Sequence, residues 1–94
     1  MRFEWGKAKN ALDKREHQVS FGTARLVFEE PLHRSFYGGA IEGEERWQTY
    51  GIVGGVILIL VANTYRRNDN EDEIVRIISA RKATKHERRR YEEG

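Results

Sequence analysis

The 94-residue chain carries 17 Lys/Arg against 15 Asp/Glu, a formal charge of +2, with 38% hydrophobic and 34% charged residues. That composition describes one charge-rich globular domain over residues 1–94 with a modest core, and it excludes a disordered chain and a general polycation. No cysteine is present, which removes disulfides and thiolate metal sites and suits a reducing cytoplasm.

From the N-terminus, Phe3 and Trp5 alternate with Arg2 and Glu4, a short strand signal. The segment lacks the apolar core of a signal peptide. "KAKNALDKREHQ" (7–18) has helical composition with only Ala8, Ala11 and Leu12 as apolar anchors, so an exposed helix is expected. Ser20 suits an N-cap for a second helix, "FGTARLVFEE", in which Phe21, Ala24, Val27 and Phe28 form a core-facing stripe. Pro31, the only proline, ends it.

"LHRSFY" reads as a candidate strand and "GGAIEGEE" as a loop. "ERWQTYGIV", Gly54-Gly55 and "VILILVANTYRR" predict a hairpin with a two-residue turn, pairing Val53 with Val56, Tyr50 with Ile59 and Arg46 with Asn63. The second strand is apolar on both faces and belongs mid-sheet. The apolar run Ile52–Ala62 is far shorter than the ~20 residues of a membrane-spanning helix. After a polar turn, "EIVRIISA" is a further strand, with Arg76 on the face of Ile74 and Ile78. Thr84 and Glu87 match the S/T-x-x-E capping box and start a last helix, "KHERRRYEE", followed by Gly94. The expected fold is α+β, a small antiparallel meander sheet packed with two N-terminal helices and one C-terminal helix.

Candidate chemistry starts with charge. Residues 81–90 hold six Lys/Arg (Arg81, Lys82, Lys85, Arg88, Arg89, Arg90) against Glu87, whereas 69–73 hold four acids. Such a block is either a solvated helix face or a footprint for a phosphate backbone, and its arginines favour phosphate through bidentate geometry. Arg76, mid-strand between Val and Ile, needs a partner. Either Glu42, Glu44 or Glu45 supplies it, or its sheet face is an open binding surface. Arg46, Asn63 and Arg66 form a polar corner at the open end of the hairpin, which a solvated sheet edge explains equally well. His17, His33 and His86 lack ligand spacing, so no metal site is expected. His17, after "KRE", has the best claim to acid–base chemistry.

"FEW" at 3–5, "HQVSF" at 17–21, "EERWQTYG" at 44–51, "TYR" at 64–66 and "RIISARKATKHERRRYEEG" at 76–94 together resemble the BrnT family. These are toxins of bacterial type II toxin–antitoxin systems, related in fold to the RelE ribonucleases. The resemblance implies a RelE-like α+β fold and cofactor-free, metal-independent RNA cleavage that arrests translation in the cytoplasm. It also implies a hetero-oligomer with a BrnA-like antitoxin, a DNA-binding ribbon-helix-helix protein through which the complex represses its operon. Carried over by motif position, the functional residues are Lys9, His17, Arg46, Arg66, Arg76, Arg81 and Glu87. In this reading Arg46, Arg66 and Arg76 cradle the developing phosphorane and His17 or Glu87 carries the proton. Lys9, Arg81, Lys82, Lys85, Arg88 and Arg89 then hold the RNA backbone.

Gly6, Asp13, Glu16 and Asn63 depart from the family pattern, where Asp, Asn, Lys and His are usual. Two alternatives stay open at this point: an antitoxin-binding member that cleaves poorly and acts in operon repression, and an RNA-binding protein without enzymatic activity.

Overall fold

The computed structural model describes residues 1–94 as β1 (Arg2–Glu4), α1 (Lys7–His17), α2 (Phe21–Ala24) running into a 3-10 helix (Arg25–Glu29), β2 (Arg34–Ile41), β3 (Glu44–Val53), β4 (Ile57–Arg67), β5 (Glu73–Lys82) and α3 (Lys85–Glu93). The strands form one sheet in the order β1-β5-β4-β3-β2. β2 to β5 are the expected antiparallel meander, and β4 takes the centre. The sheet as a whole is mixed, because β1 pairs parallel with β5, Glu4 lying beside Arg76. Nothing local encodes that pairing, since the two strands lie at opposite ends of the chain.

Each local signal resolves in its own way. Ser20 caps α2 by accepting from Thr23 N–H at 3.1 Å, and Phe21, Ala24, Val27 and Phe28 are all buried. The segment is not one α-helix, however. It tightens into a 3-10 helix after one turn. Phe21, Ala24 and Val27 recur every three residues, the 3-10 repeat, so tightening keeps all three on the sheet.

The β3–β4 turn holds three residues, Gly54, Gly55 and Val56, with Val53 pairing Ile57. Both glycines adopt positive φ, 67° and 73°, as such a turn requires. The expected register is therefore off by one: Tyr50 pairs with Leu60, and Asn63 pairs with Trp47 rather than Arg46. A one-residue slip moves every side chain to the other face. "GGAIEGEE" is not a loop either. β2 continues through a bulge between Tyr37 and Ala40, and the turn is only Glu42-Gly43, with φ of 51° and 81°, the pattern of a type I′ hairpin.

The two faces of the sheet carry separate clusters. α2 and the 3-10 helix cover the first face, where Phe21, Val27 and Phe28 pack on Ile59, Val61, Val75 and Ile77. Gly51 permits this closeness, since a Cβ there would meet Val27 Cγ1 at 2.8 Å. On the second face Tyr50, Leu58 and Leu60 pack with Phe36, Ile52, Ala83 and Tyr91, so α3 covers one end of that face. α1 is anchored differently from expectation. Ala8 and Ala11 are exposed, and the buried residue is Asp13. Its Oδ2 accepts from Ala80 N–H at 2.9 Å, where β5 outruns the short β1 and leaves an unpaired edge. Lys9 Nζ donates to its Oδ1 and neutralises the buried carboxylate.

Candidate functional site

The end of the second face that α3 leaves open carries the arginines. β5 contains a bulge, Ala62 pairing with Ser79 but Asn63 with Ile77, so Ile78 is an extra residue. The bulge interrupts the alternation expected to join Arg76 and Ile78. Arg76 and Arg81, five apart, would face opposite ways in a regular strand. With the bulge, Arg76 beside Thr64 and Arg81 beside Leu60 share one face.

Arg76 sits in a cross-strand row between Glu4 of β1 and Thr64 of β4. Arg66, two residues along β4 from Thr64, points the same way. Its guanidinium forks onto Glu4, Nη1 donating to Oε1 at 2.9 Å and Nη2 to Oε2 at 3.2 Å. Arg76 Nη1 lies 3.6 Å from the same Oε1. The partner of Arg76 is thus neither Glu42, Glu44 nor Glu45, and its side chain remains 47% exposed. Arg46 stands on the same face with Gln48 and Tyr50, two strand spacings or about 10 Å from β5. Its Nη2 lies 3.4 Å from Glu44, and its Nε is buried without a partner. No enclosed pocket forms over these residues. They present an open cationic sheet surface, with Glu4 between Arg66 and Arg76 and Glu44 beside Arg46.

Other expected participants are elsewhere. Asn63 does not join the polar corner. The register slip turns it to the first face, where it is fully buried and accepts from Thr49 Oγ1 at 2.8 Å. His17 is at the end of α1 with Nε2 4.0 Å from Glu16, and neither it nor Lys9 bonds to the arginine cluster.

Glu87 performs a capping task. Thr84 accepts from Glu87 N–H at 3.2 Å, and Glu87 Oε1 accepts from Thr84 N–H at 2.9 Å. Both oxygens also accept from Arg81, at 2.6 and 2.7 Å. The Arg81 hydrogen bond is the largest influence holding its carboxyl down, at a pKa of about 2. So acidic a group is a poor proton carrier near neutral pH. The same bond raises Arg81 above its ordinary value.

Besides the packing of Tyr91 on Tyr50, polar contacts tie α3 to the rest of the fold. Arg90 donates to Gln48 Oε1 at 3.0 Å with its guanidinium 4.4 Å above the Phe36 ring. Arg34 donates to the Gly94 carbonyl at 2.9 Å, and Tyr91 donates to the Leu32 carbonyl at 3.1 Å. Lys82, Lys85, Arg88 and Arg89 remain exposed.

A family model described as the ribonuclease toxin BrnT of type II toxin–antitoxin systems matches residues 5–87. This chain belongs to the BrnT family. In structure it is similar to the Brucella abortus ribonuclease toxin BrnT, with a TM-score of 0.62 and 24% identity over 90% of this chain and 99% of that one. That likeness bears on the α+β fold. No curated protein matches by sequence. Membership in a type II toxin family implies an antitoxin partner. No helix is long and apolar enough to cross a membrane.

For a BrnT chain, the residue that sequence reasoning missed is Glu4. The Phe3/Trp5 alternation does turn Glu4 away from the core. Only the parallel β1–β5 pairing delivers it to Arg76 and to Arg66, which is 62 residues away in sequence.

Proposed function

We propose that this chain is a metal-independent endoribonuclease of RelE-like type that arrests translation. A DNA-binding, BrnA-like antitoxin of ribbon-helix-helix type covers the cationic face and neutralises it. The observation that carries the reading is that Arg66 and Arg76 converge on one carboxylate on an open sheet face, with Arg46 on the same face. Cleavage without a metal uses the RNA 2′-hydroxyl as nucleophile and needs preorganised cations where phosphorane charge develops. Fixed guanidiniums meet that need. The exposed cations of α3, with Lys82 and Arg81, would track the RNA backbone beside them.

The test is cleavage of RNA by purified protein in buffer containing chelator, together with growth on induced expression. Arg76→Ala should lower cleavage about 100-fold or more and abolish growth arrest. Lys85→Ala, which removes one backbone contact, should cost only a few-fold and reduce the salt dependence. Intact RNA and unimpaired growth with the wild-type chain would reject the reading.

A further inference from the structure

We propose that Glu4 is the general base of this site, an inference that rests on the ribonuclease reading above. The reaction needs a group that takes the 2′-hydroxyl proton within reach of the cations that stabilise the phosphorane. Among the carboxylates and histidines, Glu4 alone contacts both Arg66 and Arg76. Glu87 is committed to Arg81 and the α3 cap, and His17 lies on α1 beside Glu16.

The contacts leave Glu4 available for chemistry. Its side chain is 37% exposed, so the carboxylate is at the surface rather than sealed in the core. It accepts no backbone hydrogen bond, unlike Glu87. β1 fixes its backbone beside Arg76 through the parallel ladder, and Phe3 and Trp5 lock the strand by packing against Phe28 and Phe21, with ring centroids 5.5 and 6.2 Å apart. The carboxylate is therefore held by side chains that can exchange it for a phosphate. Arg66 uses both Nη groups on Glu4, while Arg76 approaches only through Nη1 at 3.6 Å. Arg76 thus keeps donors for a phosphate oxygen while Arg66 orients the base.

In the step, a Glu4 oxygen removes the 2′-hydroxyl proton and the 2′-oxygen bonds to phosphorus. The phosphorus–5′-oxygen bond then breaks, its electron pair leaves with the 5′-oxygen, and that oxygen takes a proton from water. The products are a 2′,3′-cyclic phosphate and a 5′-hydroxyl end. Glu4 returns its proton to solvent.

Glu4→Gln keeps the size and one acceptor but cannot take a proton. Its single-turnover cleavage rate should fall about 100- to 1,000-fold, and the acid limb of the wild-type pH–rate profile should disappear. Glu4→Asp should recover part of the rate with the acid limb restored. Binding of fully 2′-O-methylated RNA, which cannot be cleaved, should change by less than about threefold. Glu29→Gln, on the exposed side of the 3-10 helix, is the control and should cleave as the wild type does.

If Glu4→Gln cleaves at a rate near wild type with its acid limb intact, Glu4 is not the base and the ribonuclease reading stands. A rate loss that tracks a matching loss of RNA binding likewise removes Glu4 from the role of base. A wild-type chain that leaves RNA intact overturns both. If Glu4→Gln does not fold, Glu4→Asp decides: a pH–rate profile identical to wild type, midpoint included, counts against the role, and a displaced acid limb supports it.

Discussion

Two bidentate glutamate–arginine pairs lie on the second face of this sheet, and they differ in how the acid is held. At the covered end Glu87 binds Arg81 through both oxygens and closes a capping box through Thr84. At the open end Glu4 binds Arg66 through both oxygens and touches Arg76. The pairs share chemistry and bidentate geometry. They differ in what else holds the acid. A backbone N–H and a short strand-to-helix connection fix Glu87, whereas side chains alone hold Glu4. In the proposed reading these ties keep Glu87 on its partners, whereas Glu4 can give up a guanidinium to a phosphate.

The contrast can be broken from either side. Arg66→Ala should give the largest effect, a fall in cleavage of about 100-fold, while thermal unfolding moves by less than about 5 °C because the pair is half exposed. A large loss of stability in that variant would erase the distinction. Glu87→Gln should do the reverse. It should destabilise the fold by about 1–2 kcal/mol and leave cleavage per folded molecule within a few-fold.

The acid behaviour of the Glu87 end follows from its low folded pKa, about 2 against an ordinary 4.5. A depressed carboxyl contributes stability that is fully present above its unfolded value and is lost as pH falls through the folded one. Wild-type stability should thus decline between pH 4.5 and about 2, and Glu87→Gln should flatten that decline in far-UV circular dichroism melts. Thr84→Ala should have the smallest effect, about 1 kcal/mol, and should leave the Arg81 pair in place.

What could be read in the sequence was local. The Ser20 cap, the Thr84–Glu87 box, the Phe21–Phe28 stripe and the central position of β4 each depend on residues a few places apart. The β3–β4 register could not be read, because β4 is apolar on both faces. Leu58 and Leu60 satisfy one core as well as Ile59 and Val61 satisfy the other, so the pattern does not choose between slips. The bulge at Ile78 and the strand through Gly38-Gly39 were hidden for a related reason, since an inserted residue breaks the alternation used to find strands. Asp13 was invisible as an anchor because its partner is the backbone of a strand 67 residues away. The arginines of the site were legible as candidates, and the carboxylate among them was not.

The parallel pairing of β1 with β5 also has a consequence for the timing of synthesis. The ribosome adds Glu4 to the chain 62 residues before Arg66. A growing chain therefore holds the acid long before it holds the cations, and β1 has no strand to lie against until β5 has emerged. A chain interrupted before β5 lacks the strand that brings Glu4 to Arg76, and the cluster closes only once β5 is in place.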